Sequence, residues 1–344
     1  MTTLKDISRR SGYSVTTVSR ALNGFDDVTE ATRQRIEAIA REMNYRPNQV
    51  ARKLVSGRSG MVGLVLEAPP SAFEYGHFFE LVSGLSRAFS ARDMDFVLHV
   101  GTGGDVLTTY KRLINRGTLD GFVVTAPEIG DARIALLLER EVPFVVHGHQ
   151  IGDASYAYYD ADNRAISQAA VSFLADLGHR RIGLLNGPEQ WTYAQERLRG
   201  FRDALAERGL PFDPALVRHG DTSQAYGAQA GAELLGDPST APTAFICCNS
   251  LAAAGLLESL RARGLAVPRD ISIVAHDDDL PQVQTDRLDP PLTVTWLPLR
   301  DCVEPLVELI IRRIRGEPVS DLQITNTAPL IERGSTRPAP GPRV

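Results

Sequence analysis

The sequence predicts an α/β protein: an all-α head, a short joint, and a body of two doubly wound, mostly parallel sheets. Three observations carry this. Residues 3–56 read as short amphipathic helices separated by tight turns. From Met61 onward, short apolar runs alternate with amphipathic helical stretches, the signature of parallel strands covered on both faces. Charge divides at the same place. Residues 1–60 hold eleven Lys and Arg against six Asp and Glu in a chain of net charge −5, which leaves −10 on the other 284 residues. A small basic module on an acidic body points to a polyanion at one end.

The head can be read element by element. Thr3 caps a first helix, with Asp6 placed for a capping box, and Leu4 and Ile7 mark its apolar side before Gly12 ends it. Ser14 caps a second helix, "SVTTVSRALNG", in which Val18, Ala21 and Leu22 share one face while Thr16, Thr17 and Arg20 point elsewhere. A third helix runs from Thr29 to about Asn44 on the stripe Ile36, Ile39, Ala40 and Met43, and Pro47 marks its exit. The segment "NQVARKLVSG" follows, and Gly57 and Gly60 bracket a joint.

In the body, "MVGLVL", "DFVLHV", "GFVVTA", "PFVVHG", "RIGLLNG", "TAFICC" and "ISIVAH" are the strand candidates. So many units exceed one comfortable core, so two subdomains are expected. The tail "RPAPGPRV" is Pro-rich and expected to be disordered. The cysteines Cys247, Cys248 and Cys302 form no C-x-x-C pair and are expected to be buried thiols of a reducing compartment. The charged start "MTTLKDISRR" lacks an apolar signal core, and no run approaches the roughly 20 apolar residues of a bilayer span. The expected location is cytoplasmic, on the nucleoid, with no membrane contact.

Residues 3–66, "TLKDISRRSGYSVTTVSRALNG" through "NQVARKLVSGRSGMVGLVL", resemble the head and hinge of the LacI/GalR family of transcriptional regulators. "DNRAISQAAVSFLADLGHRRIGLLNGPE", "ERLRGF" and "ISIVAHDDD" are similar to landmarks of that family's body. The resemblance implies a helix-turn-helix head at 1–47 and a hinge helix and linker at 48–60. It further implies a body of periplasmic-binding-protein type whose chain crosses three times between subdomains. The expected division is 61–161 with 293–321 for the N-terminal effector subdomain and 162–292 with 322–336 for the C-terminal one, leaving 337–344 as the tail. The implied protein is a sequence-specific regulator, a repressor, that binds a palindromic operator as a homodimer under control of a small effector. It is no enzyme and needs no cofactor or metal.

The residue types suit that chemistry. A recognition helix presents side chains to base edges in the major groove. Arg20 can grip guanine with two hydrogen bonds, Thr16 can donate, accept or touch a thymine methyl, and Val15 offers apolar contact; Ser14, Thr17 and Ser19 suit phosphates or caps. By the resemblance, Leu54 with Ala51 beside it wedges into the minor groove while Asn48, Arg52 and Lys53 hold backbone. In the body a ligand belongs in the crevice at the carboxyl ends of strands. There the resemblance assigns His77 and Phe78 to the pocket wall and Arg197 to the ligand grip, with Trp191 and Tyr193 near it. Asn249 and Asp277 follow two other strands. Aromatic faces with Arg, Asn and Asp favour a saccharide. His147, His149 and Asp160 also follow strands and are candidate crevice walls.

Thr222, the Asn249-Ser250 pair and Ala275-His276 depart from the family pattern, all at the pocket wall, which bears on the ligand rather than the fold. The alternatives are a purine or nucleoside co-repressor in place of a sugar and, more remotely, a solute-binding protein with no transcriptional role. No nucleophile elbow, phosphate loop or histidine cluster at metal spacing is present, and "GTGGD" at 101–105 reads as a turn.

Overall fold

The computed structural model describes residues 2–22, 25, 27–45, 58–67, 76–101, 105–149, 152 and 155–340. It divides into two units, residues 1–60 and 61–344.

In the first unit, α1 (Leu4–Ser11) starts at a complete capping box between Thr3 and Asp6 and stops at Gly12, whose φ of 78° suits glycine. The second helix, α2 (Val15–Leu22), is started by Ser14, whose hydroxyl accepts from Thr17 N at 3.0 Å. The third is α3 (Glu30–Glu42). Ile7, Val18, Ala21, Val28, Ile36 and Ala40 close a small core between them. An Arg10–Glu42 ion pair at 2.7 Å joins α1 to the end of α3. The expected hinge, with Asn48, Ala51, Arg52, Lys53 and Leu54, lies outside the described residues.

The second unit holds two six-stranded sheets. The first contains β1 (Met61–Glu67), β2 (Asp95–Gly101), β3 (Gly121–Thr125), β4 (Phe144–His147), β5 (Ala157–Ala161) and β11 (Gln323–Asn326), in the order β11-β5-β4-β3-β1-β2, every neighbour parallel. The side-chain period of two sorts its residues. Val123 and Val145 join α4 (Gly76–Ser90) and α11 (Val303–Ile314) on one face. Phe122, Val124, Phe144 and Val146 join α5 (Val106–Arg116) and α6 (Ala132–Glu139) on the other.

The second sheet contains β6 (Ile182–Asn186), β7 (Val217–His219), β8 (Ala244–Cys247), β9 (Ser272–Asp277), β10 (Thr293–Trp296) and β12 (Leu330–Ile331), in the order β12-β10-β9-β8-β6-β7, with only β12 antiparallel. One face packs α7 (Asn163–Asp176) and α8 (Thr192–Glu207), the other α9 (Gln224–Leu234) and α10 (Ser250–Ala262). The last two approach so closely that a Cβ on Gly227 or Gly255 would meet a carbonyl oxygen at 2.0 or 1.8 Å. Two glycines are what allow that pairing.

The chain leaves the first sheet after Ala161, returns after Trp296 and crosses again between Asn326 and Leu330. This moves two expected bounds. Thr293–Trp296 pairs with β9 of the second sheet, and Gln323–Asn326 pairs with β5 of the first, so the segment 297–326 belongs to the first lobe. Both strands are four residues long, and nothing in so short a strand names its sheet.

The expected disordered tail is also corrected over 337–340. Arg337 N donates to Ser272 Oγ at 3.2 Å and Ala339 N to Leu177 O at 2.8 Å. Pro338 and Pro340 have no N–H to satisfy, so the two backbone donors this stretch retains are both used. The Arg337 carbonyl faces His179 Nε2 at 3.1 Å. A carbonyl only accepts, so Nε2 carries the proton and Nδ1 accepts from Thr243 Oγ1 at 2.9 Å. Burial holds this imidazole's pKa below its usual value. All three cysteines are buried free thiols.

Candidate functional site

On α2 the outward face carries the expected reading residues. Val15 is 40% exposed and Thr16 is exposed beside it. Ser14 and Thr17 are tied to each other, Oγ to Oγ1 at 2.8 Å, and serve the helix start. Arg20 is half-exposed: its Nε meets the Asp27 carboxylate at 2.7 Å and its guanidinium lies 4.8 Å from the Phe25 ring centre. The side chain is thus engaged by the segment after α2, and a guanine edge would have to compete with Asp27 for it.

The body's site is built around α8. Trp191 precedes the helix, and Tyr193 and Arg197 sit four residues apart on one face of it. The Arg197 guanidinium lies 5.2 Å from the Tyr193 ring centre and is buried. Its Nε donates to Asn163 Oδ1 at 2.9 Å and its Nη1 to Cys248 O at 2.5 Å. Burial raises the Tyr193 phenol far above its usual pKa, so it stays neutral. Trp191 and Tyr193 rings stand 5.8 Å apart.

Asn249 follows β8 and caps α10: Oδ1 accepts from Ala252 N at 2.9 Å, and Nδ2 donates to Thr222 O at 2.9 Å. Asp277 ends β9, where its carboxylate accepts from the Thr285 hydroxyl and from Asp279 N at 2.9 Å. Burial pushes its pKa up, against those two hydrogen bonds. The structure thus gathers Trp191, Tyr193 and Arg197 into one cluster that reaches the residue before Asn249. Asn249 caps α10 and ties it to Thr222, and Asp277 holds the turn after β9 and the Thr285 hydroxyl. The side chains of His77 and Phe78, which start α4, lie outside the described residues.

Sequence reasoning missed two parts of this border between the lobes. Glu128 and Trp191 form an antiparallel bridge, with Thr192 N donating to Pro127 O at 3.0 Å and Ile129 N to Gln190 O at 3.2 Å. The loop after β3 therefore meets the start of α8. The second part is Asn163, beyond the crossing from β5, which links Arg197 to Asp160. Asp160 Oδ1 accepts from Asn163 Nδ2 at 3.2 Å and from Ala161 N at 2.7 Å, while Oδ2 meets His149 Nδ1 at 2.6 Å. His149 stacks on Tyr158 with ring centres 4.9 Å apart. The Asp160 contact raises its pKa above the usual imidazole value, with Glu196 and Asp162 adding to the effect. His147, by contrast, is the half-buried last residue of β4, in the interior of the first sheet, and desolvation holds its pKa below the usual value. A strand-to-helix "DADN" was the one signal for Asn163.

Among the described residues no group of three or more His, Cys, Asp or Glu is placed to hold a metal, and no helix is long and apolar enough to cross a membrane.

Residues 3–48 match the family described as bacterial regulatory proteins, lacI family, and residues 171–336 a periplasmic binding protein-like domain. The chain is 37% identical to the HTH-type transcriptional regulator AglR of Rhizobium meliloti, covering 98% of this chain and 95% of that one. It is 36% identical to the HTH-type transcriptional regulator RafR of Escherichia coli, covering 98% and 99%. Among solved structures, a complex of the transcriptional regulator CelR with cellobiose superposes with a TM-score of 0.71 at 30% identity, over 97% of this chain and 100% of the other. With head, body and near full-length relatives in agreement, the chain belongs to the LacI family of bacterial regulatory proteins.

Proposed function

We propose that this protein is a repressor whose homodimer holds a palindromic operator under the control of a saccharide bound between the two lobes of its body. The observation that carries the reading is Arg197, a buried guanidinium lying over Tyr193, beside Trp191 and at the border of the lobes. Guanidinium donors suit hydroxyl and ring oxygens, and aromatic faces suit the C–H face of a sugar ring. The CelR–cellobiose complex supports a short oligosaccharide rather than a purine. Val15, Thr16 and Arg20 then read base edges, Asn48, Arg52 and Lys53 hold phosphates, and Leu54 with Ala51 enters the minor groove at the dyad. Asn249, Asp277, His77 and Phe78 complete the proposed pocket, and a neutral sugar spanning both lobes would hold them closed. The protein acts in the cytoplasm and returns its ligand unchanged.

The experiment is a melting-temperature screen of the full chain against cellobiose, other di- and trisaccharides, nucleobases and nucleosides, followed by operator binding with each hit. A saccharide that raises the melting temperature and releases the operator is the expected result. A response confined to nucleobases or nucleosides would replace the sugar. Affinities for ligand and operator that do not depend on each other would remove the sensor role, because coupling is reciprocal.

A further inference from the structure

An unbroken series of side-chain hydrogen bonds crosses the first connection between the lobes. It runs from His149 Nδ1 to Asp160 at 2.6 Å, from Asn163 Nδ2 to Asp160 at 3.2 Å, from Arg197 Nε to Asn163 Oδ1 at 2.9 Å, and from Arg197 Nη1 to Cys248 O at 2.5 Å. His149 and Asp160 belong to the first lobe, Arg197 and Cys248 to the second.

Each link has a fixed direction. An ionised carboxylate only accepts and a guanidinium only donates. The Asn163 amide stands between them, and its Nδ2 also donates to Ala161 O at 3.1 Å. Rotating that amide by half a turn would set its NH₂ against the Arg197 N–H and its oxygen against the Asp160 carboxylate. Asp160, together with the Ala161 carbonyl, therefore fixes which end of Asn163 faces Arg197. Asp160 in turn is held by Ala161 N and by His149. We propose that Asp160 and His149 are positioning residues for Arg197, so that a titratable group of one lobe sets how firmly the arginine of the other is held.

The charges around His149 agree. Asp160 faces it from β5, Asp162 from the first connection and Glu196 from α8, and the Tyr158 ring lies against it; all three charged groups are acidic. The protonated imidazole is favoured where the lobes meet. The positioning is then complete below the raised pKa of His149 and weakens as pH rises through it.

This positioning serves the saccharide grip proposed for Arg197 and rests on that reading, yet its first test needs no saccharide. Hydrogen exchange of the Arg197 Nε–H is followed by NMR in the full-length protein, the signal being identified by its loss in Arg197→Lys. Asp160→Asn should lower its protection at least tenfold. His149→Gln should lower it less and abolish the rise of protection on acidification, and His149→Arg should keep protection high at every pH. Unchanged protection in Asp160→Asn, or a pH dependence that survives His149→Gln, would overturn the proposal. In the second test, titration with cellobiose should show at least tenfold weaker binding in Asp160→Asn with operator affinity retained. If the exchange results hold and neither cellobiose nor another saccharide binds, only the identity of the ligand falls.

Discussion

The outward face of α2 and the cluster around Arg197 are both candidate binding sites, and they are built in opposite ways. Val15 and Thr16 stand exposed on a helix whose other face makes the core. In the body, Arg197, Asn249 and Asp277 are each less than a tenth exposed, and every one of them is bonded to other parts of the same unit. A surface site of the first kind binds by presenting groups that already face water. A buried site of the second kind binds by exchanging existing hydrogen bonds for new ones, so binding and conformation are inseparable there. The difference assigns distinct signatures to mutations in the two places.

The largest effect is expected at Arg197. Arg197→Ala leaves Asn163 Oδ1 and Cys248 O buried without this donor, a loss of about 2–6 kcal/mol at roughly 1–3 kcal/mol per buried group. Thermal unfolding should show this, and the response to ligand should vanish with it. An Arg197→Ala protein that melts like the wild type would erase the contrast with the head.

Next comes Arg20. Arg20→Ala should weaken operator binding by about 1–3 kcal/mol for each guanine that the side chain reads, with melting unchanged and binding to random DNA nearly so. Competition binding at two salt concentrations separates these, because phosphate contacts weaken steeply with salt. Equal losses on operator and random DNA would remove the base-reading role.

Asn249→Ala lies between the two kinds of site. The residue is a helix cap, and its removal should cost about 1 kcal/mol of stability. A much larger loss of ligand affinity than of stability would show that Asn249 touches the ligand as well.

The smallest effect sharpens the picture of the head. Asp27→Asn frees Arg20 from an ion pair whose partners are 43% and 55% exposed, so stability should change by less than about 1 kcal/mol. Affinity for both operator and random DNA should rise a few-fold, since one acidic charge near the duplex is removed. A drop in affinity would mean that Asp27 aims Arg20 rather than competes for it.

The same division explains what could be read from the sequence. Thr3 with Asp6, Ser14 and Gly12 act on backbone within a few residues, so the caps and turns of the head were legible locally. The alternation of strands and helices was legible because each sheet is covered on both faces, which makes its interior strands, such as β3 and β8, largely apolar. The sheet to which Thr293–Trp296 and Gln323–Asn326 belong was not, because it depends on which edge is free once the other strands have paired. The partners of Arg197 were hidden for a similar reason. One is a backbone carbonyl, which every residue has, and the other is an amide 34 residues away. The structural bonds of Asn249 and Asp277 were likewise concealed by their position at strand ends, where a binding residue would also sit.

The strap at Arg337–Ala339 bears on how the protein can be handled. A protease cut or a stop codon placed just before Arg337 would remove a carbonyl acceptor from buried His179 and the N–H that meets Leu177 O. The two ends of that strap lie against the second lobe, so a fusion partner joined directly after Ala339 would pull on the lobe that carries Arg197. An affinity handle attached there should be given a long flexible spacer beyond residue 340, so that its motion does not disturb the cluster around Arg197.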